Sequence, residues 1–170
     1  MMKKPCSSLV LAALMSVAAL AQTKVAVIDF QRAVLGTAEI KKAQADLEAN
    51  FRPRQEAMQK LERELQQIQT QLQTMAGKLT PQAEADLRAQ GARKEREYQR
   101  MGEDLQQDVD RERNDILQKA GRQMREIISK LAIDKGMDVV VDSVNTLYFR
   151  NALDLTNDAI AAYDAAYPAK

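Results

Sequence analysis

Three aspartates at the ends of predicted strands are the side chains best placed to do chemistry. Asp29 follows the apolar run Val25–Ile28, and Asp138 and Asp142 flank a run of valines. Carboxylates that lie close together can act as a general acid–base pair or bind a divalent cation. Aspartate in such places is more often a helix cap or turn residue, because its side chain accepts hydrogen bonds from nearby backbone N–H groups. We therefore predict structural roles for all three.

The composition excludes most other catalytic sites. The 170 residues include no histidine, no tryptophan and one cysteine, so a histidine-based triad and a His or multi-Cys metal site are impossible. Lys plus Arg number 25 and Asp plus Glu number 24, which gives a net charge of +1. That balance gives no reason to expect nucleic acid as a partner. We predict no enzymatic activity and no cofactor.

The first 21 residues have the layout of a secretory signal peptide. Met1–Pro5 is cationic, Ser7–Leu20 is apolar, and Ala19–Ala21 matches the small-residue cleavage site. The apolar stretch is short for a spanning helix, and an uncleaved anchor is the alternative. We expect cleavage after Ala21 and export to the periplasm. The exported chain then has no cysteine and no disulfides.

Two long stretches of regularly spaced apolar residues predict a pair of helices. From Met58 to Leu79 the apolar residues are separated alternately by three and four positions, with charged residues and glutamines between them. This heptad spacing is typical of a coiled coil. A glycine, a threonine N-cap and a proline then indicate a turn at 77–81. A second helix is predicted to continue to about Lys135.

The regularly spaced apolar residues form a stripe, or seam, along each helix. The two seams also predict which residues of the helices face each other. In an antiparallel hairpin the numbers of facing residues have a constant sum. Leu72 with Leu87 and Met58 with Met101 both give 159, and the midpoint falls on the predicted turn. We therefore predict an antiparallel coiled-coil arm over residues 36–135.

Pro53 and Gly102 interrupt the two predicted helices. Proline removes a backbone hydrogen bond and kinks or breaks a helix, and glycine costs about 1 kcal/mol relative to alanine. Pro53 faces about residue 106 in the predicted register, so the two residues should lie close together. They are either tolerated helix defects or a hinge near the root of the arm.

The remaining segments, 22–35 and 136–170, are predicted to form a small β-rich body, so the fold class is α+β and mostly α. Thr156 is expected to cap a short last helix. The body is too small to be stable alone, and small domains need disulfides, metals or oligomerisation. Apolar, β-branched runs predict three strands, at residues 25–28, 137–142 and 147–150.

Because the composition excludes disulfides and His or Cys metal sites, oligomerisation is the remaining way to stabilise the small body. The valine runs are nearly continuous, which implies strands covered on both faces, and one short helix cannot cover both. We predict a homo-oligomer with the sheets joined at its centre and the arms projecting. The predicted contact residues are Val25, Val27, Val139, Val140 and Val141.

Four segments resemble the Skp/OmpH family of periplasmic chaperones. They are Val25–Arg32, Phe51–Gln55, Lys135–Asp142 and Leu153–Thr156, in this order behind a signal peptide. The resemblance implies a jellyfish-like homotrimer with helical-hairpin tentacles around a cavity. It also implies an ATP-independent holdase that binds unfolded outer-membrane proteins before their insertion, with lipopolysaccharide or anionic lipid as a further partner of some members. The resemblance assigns no client-binding residue.

Two other functions are open at this point. A structural or adaptor coiled coil of the cell envelope would bind one folded partner through the arm. An envelope lipid-binding protein would use the Lys and Arg side chains of the arm. Flexible methionine side chains suit contacts with an unfolded client, and three of them lie on the seams: Met58, Met75 and Met101. Packing between the two helices explains these methionines more simply.

Overall fold

A computed structural model describes residues 23–169, so the predicted signal peptide and its cleavage after Ala21 lie outside the described residues. Within 23–169 the chain forms four α-helices and two β-strands. Two 3-10 turns, Ser143–Asn145 and Asn151–Leu153, join the last strand to the last helix. The elements in chain order are β1 Val25–Ile28, α1 Phe30–Gly36, α2 Ala38–Thr74, α3 Pro81–Asp134, β2 Val139–Asp142 and α4 Thr156–Ala166.

Helices α2 and α3 form the predicted arm. They contain 37 and 54 residues, which correspond to about 55 and 80 Å. In the turn between them, Gly77 has a φ of +76°, a backbone conformation that glycine adopts without strain. Thr80 caps α3 by accepting a hydrogen bond from the N–H of Ala83 at 3.2 Å, and Pro81 is the first helical residue. The predicted turn is confirmed.

Contacts across the arm confirm the predicted register. A Cβ atom built on Gly91 would lie 3.2 Å from Cγ2 of Ile68, so the two helices approach closely there. Arg54 donates a hydrogen bond to Asp108 at 2.7 Å. The residue numbers add to 159 for the first pair and to 162 for the second, close to the predicted sum of 159.

Helix α2 continues through Pro53, so of the predicted kink or break the structure excludes the break. Proline lacks only one intrahelical donor, and long stretches of α2 on both sides remain packed along α3. Phe51, two residues before the proline, is buried in the arm. This packing holds the helix together across the missing hydrogen bond.

The apolar core lies at the root of the arm. It is formed by the end of β1, by α1 and α4, and by the adjoining ends of α2 and α3, which include Ile40 and Met124. The side chain of Tyr163 in α4 is fully buried in this core. The arm therefore grows out of the same core that holds the two strands. Among the described residues, 23–169, no helix combines the length and apolar character needed to cross a bilayer.

The two strands pair in parallel, with Val25 opposite Val139 and Ile28 opposite Asp142. The prediction of a three-stranded sheet is wrong for the described part of the chain, which contains no strand at residues 147–150. A single bridge between Val27 and Asp154 is the only further pairing found within residues 23–169.

The chain leaves the sheet directly after β2, which explains the missing third strand. The Asp142 carboxylate accepts a hydrogen bond from the N–H of Val144 at 3.2 Å, and the Asp142 carbonyl accepts one from the Thr146 hydroxyl at 3.1 Å. These bonds wrap residues 143–145 into a 3-10 turn. The strand-forming residues that follow are thereby directed away from the β2 edge.

The aspartates at the strand ends have the predicted structural roles. Asp29 caps α1 by accepting a hydrogen bond from the N–H of Arg32 at 2.8 Å. Asp138 accepts one from the N–H of Lys24 at 2.7 Å, beside the first residues of the sheet. Asp142 shapes the turn after β2. Over residues 23–169, no group of three or more acidic or cysteine side chains is arranged to hold a metal ion.

Thr156 joins α4 to β1, and the prediction that it caps α4 is wrong. It is the first residue of the helix. Its buried hydroxyl accepts a hydrogen bond from the N–H of Asp29 at 2.9 Å and donates one to Asp154 at 2.5 Å. Arg32 donates to the same carboxylate at 2.8 Å. The Thr156 hydroxyl therefore bonds to residues outside α4 and does not cap this helix.

Candidate functional site

The predicted oligomerisation residues lie in three different environments. Val25 and Val139, which are opposite each other in the sheet, are exposed, while Val140 and Val141 are half-buried. Val27 is 2% exposed. Because its own chain encloses Val27, its side chain has little surface to offer a second copy. The other four valines are the ones that a neighbouring chain could cover.

Further apolar side chains are exposed just after β2. Val144 and Tyr148 are about four-fifths exposed, and Leu147 is completely exposed. We refer to Val25, Val139, Val144, Leu147 and Tyr148 together as the apolar edge. Uncovered aliphatic and aromatic surface of this kind often marks a protein contact. Sequence reasoning missed the last three because it placed them in a turn and strand of the chain's own sheet.

The backbone of the sheet is also open on one side. The Val27 carbonyl on the outer side of β1 accepts a hydrogen bond from the N–H of Leu155 at 2.9 Å. No strand lies against the outer side of β2 anywhere in residues 23–169. An uncovered strand edge presents backbone donors and acceptors that can pair with another chain.

A partly buried polar network connects the arm to α4. Tyr163 of α4 donates a hydrogen bond from its hydroxyl to Oε2 of Glu39 in α2 at 2.5 Å. Lys119 of α3 donates to Oε1 of the same carboxylate at 2.7 Å. The side-chain amide of Gln123 lies 2.9 Å from the Tyr163 hydroxyl. One carboxylate thus holds together three helices at the point where the arm leaves the core.

The network shifts the ionisation of its members. Partial burial by itself raises the pKa of Glu39, but the hydrogen bonds from Lys119 and Tyr163 outweigh it and hold the pKa below its ordinary value of 4.5. Burial of the ring, followed by the hydrogen bond to Glu39, raises the pKa of Tyr163. The network is therefore a neutral phenol bound to an ionised carboxylate over the ordinary pH range.

Acid should weaken this connection. Because the folded-state pKa of Glu39 is depressed, its contribution to stability is present above the unfolded value and is lost as the pH falls through the folded value. We expect the free energy of unfolding to fall between about pH 6 and about pH 3 by more in the natural chain than in Glu39→Gln. Urea titrations at both pH values check this, and equal losses in the two proteins would contradict it.

A cleft of about 900 Å³ lies along the arm near its proline. Its lining combines apolar side chains with both signs of charge. Pro53 and Met101, the neighbour of Gly102, are both among the lining residues, so this cleft lies next to both predicted hinge positions. The lining residues are Pro53, Arg54, Ala57, Arg96, Glu97, Arg100, Met101 and Asp104.

Replacing Pro53 with alanine tests whether this cross-section is a hinge. Alanine restores a backbone donor in α2 and removes the steric strain of the ring, an effect of up to about 3 kcal/mol in a helix interior. We expect slower amide exchange at residues 50–57. Amide exchange as fast as in the natural chain would dismiss the hinge.

A comparison with known families decides what kind of protein has this architecture. A family model described as outer membrane protein (OmpH-like) matches residues 24–163. This chain belongs to the OmpH-like family. The match includes both strands, the whole arm and most of α4, and it confirms the resemblance found in the sequence.

A solved structure shows that the OmpH-like fold is shared. The crystal structure of a candidate outer membrane chaperone (OmpH-like) from Caulobacter crescentus CB15 matches this chain with a TM-score of 0.74 and 19% sequence identity. The match covers 88% of this chain and 89% of the other. A search of curated proteins finds no match.

Proposed function

We propose that this OmpH-like chain is an ATP-independent holdase of the periplasm that binds unfolded outer-membrane proteins and prevents their aggregation. The observation that carries the proposal is the long arm, in which burial is confined to a narrow seam. Only four of the 37 residues of α2 are buried, and the buried residues of α3 lie at the root of the arm, from Ala120 to Ile127. Most of the arm therefore remains available for contact.

The physical needs of a holdase fit such an arm. An unfolded outer-membrane protein exposes apolar segments and unpaired strand edges, which aggregate. Many weak, adaptable contacts would hold such a chain without selecting one sequence. The arm cleft offers both charge signs beside apolar groups such as Met101 and Ala57. The proposed activity requires no nucleotide and no catalytic residue.

We further propose that copies join through the apolar edge into a homo-oligomer, with three subunits as the family resemblance implies. Leu147 and Tyr148 are exposed in the single chain, and the neighbouring β2 edge is open. A segment that has strand-forming residues but no strand partner in its own chain would find one on a second copy. In this arrangement residues 22–35 and 136–170 form the joined body, and the arms of 36–135 enclose the client.

Light scattering of a diluted, denatured porin tests the holdase directly. We expect a stoichiometric amount of the purified chain to suppress scattering without nucleotide. The same mass of Leu147→Asp should protect less, because separated copies cannot enclose a client. Unchanged scattering with the natural chain would show that it is not a holdase.

The same preparation distinguishes the two other functions. An adaptor would bind one folded envelope protein saturably and would leave porin aggregation unchanged. A lipid-binding protein would co-sediment with anionic vesicles, and salt would abolish that binding.

A further inference from the structure

Two methionines, Met58 and Met101, lie beside Gly102 in the arm. In the structure, a Cβ atom built on Gly102 would lie 3.3 Å from the Cε methyl of Met58. The missing side chain of Gly102 therefore leaves a notch in α3 that the Met58 methyl group fills. Met101, next to Gly102, lines the cleft of about 900 Å³ on the arm surface.

The methionines of the described chain differ strongly in accessibility. Met58 and Met101 are half-buried, so a small solute can reach part of each side chain while both still contribute packing. Met124 in the core of the root is 0% exposed, and Met75 near the turn of the arm is 43% exposed. Met124 therefore serves as an inaccessible reference, and Met75 as an accessible one, for the oxidation of Met58 and Met101.

We propose that Met58 and Met101 are an oxidation site that sets the stiffness of the arm. The oxidant is a hydroperoxide. The sulfur lone pair attacks the terminal peroxide oxygen, an S–O bond forms and the O–O bond breaks. The proton on the transferred oxygen then passes to the leaving hydroxide or alkoxide, which leaves the neutral sulfoxide. Sulfur loses two electrons, and the peroxide is reduced by two electrons to water or an alcohol.

The sulfoxide no longer suits the notch. It is larger by one oxygen and strongly polar, and a polar group placed against an apolar seam loses its hydration. Because Met58 is only half-buried, its oxidised side chain can turn out of the notch to water. The contact between Met58 and Gly102 is then lost, and with it the packing that joins α2 to α3 at this level.

The neighbouring sequence makes this level sensitive to lost packing. Pro53 removes one backbone hydrogen bond from α2, and Gly102 weakens α3 as a helix. Local order at this cross-section therefore depends on contacts between the helices. Oxidation of Met75, outside this section, should have no comparable effect. The inference concerns modification of the arm itself, so its test needs no client and is independent of the holdase.

Peptide mass spectrometry combined with hydrogen exchange tests the proposal on the full purified chain. With hydrogen peroxide as the probe, we expect sulfoxide to form fastest at Met75, more slowly at Met58 and Met101, and last at Met124. Once Met58 and Met101 are oxidised, amide exchange at residues 50–60 and 98–106 should rise by about fivefold. Exchange near the root should not change. Methionine sulfoxide reductases should reverse the rise.

The matched control is the double variant Met58→Leu and Met101→Leu, which conserves side-chain volume. We expect it to keep slow exchange in the arm, both before and after peroxide. The proposal is wrong if the natural chain keeps its slow exchange when both methionines are oxidised. It is also wrong if the leucine variant shows the same peroxide-dependent rise.

Discussion

Replacing Tyr163 with alanine should detach α4 and destabilise the whole root of the arm. The ring is completely buried, and its hydroxyl binds Glu39 of α2. Removal of a buried aromatic side chain costs about 3–5 kcal/mol because it leaves a cavity. The free energy of unfolding of a small domain is only about 5–15 kcal/mol. We expect urea denaturation, followed by circular dichroism, to show a loss of this size.

Tyr163→Phe separates the ring from the hydroxyl. It keeps the buried ring and removes the hydrogen bond to Glu39, which keeps its partner Lys119. We expect it to lose about 1.5–3 kcal/mol, the range for one hydrogen bond to a charged group. If Tyr163→Ala were no more destabilised than Tyr163→Phe, packing of the ring would not be what holds α4.

Leu147→Asp should convert the proposed oligomer into single chains. In the isolated chain Leu147 is completely exposed, so an aspartate there stays hydrated and should change the monomer's stability by no more than about 0.5 kcal/mol. In the proposed interface the same carboxylate would be buried without a partner, which is strongly unfavourable. Sedimentation velocity at micromolar concentration should show a folded monomer.

Met75→Asp is the matched control for this experiment. It also places a carboxylate at an exposed apolar position, but near the turn of the arm and far from the apolar edge. We expect this variant to remain oligomeric. A natural chain that sediments as a well-ordered monomer would falsify the proposed assembly, and so would an oligomer that survives Leu147→Asp.

The arm could be predicted because its determinants are local. The heptad spacing fixes the two helices, and Gly77, Thr80 and Pro81 fix the turn between them. With the turn fixed, the register follows, as the contact between Gly91 and Ile68 shows. Each step depends on residues that are close in sequence, so periodicity and turn chemistry were sufficient.

The sheet could not be predicted in the same way because its pairing is non-local. The residues at 147–150 have strong strand propensity, but propensity does not say which neighbour a strand will have. The hydrogen bonds made by Asp142 turn the chain away before a hairpin can form. The parallel partner of β2 is β1, from the other end of the described chain.

The polar network at the root was missed for a related reason. Glu39, Lys119 and Tyr163 are far apart in sequence, and each alone is an ordinary helical residue. Only the packing of α2, α3 and α4 brings them together. The heptad pattern predicted where the helices face each other, but it gave no signal for a tyrosine from a fourth helix.

The parallel pairing of β1 with β2 determines the order in which the molecule can be completed. Val25 and Val139 are 114 positions apart, so a newly made chain has its first strand long before its second. Closing so long a loop has a large entropic cost, so pairing of the two strands by chance is slow. The hairpin, whose contacts spread outward from the turn at 77–81, shortens that search because it returns Lys119 to the neighbourhood of Glu39, close to both strands. We therefore expect the sheet to form late in folding, after α2 and α3 have paired along the arm. Slow pairing of these helices would prolong the time for which β1 has no partner strand.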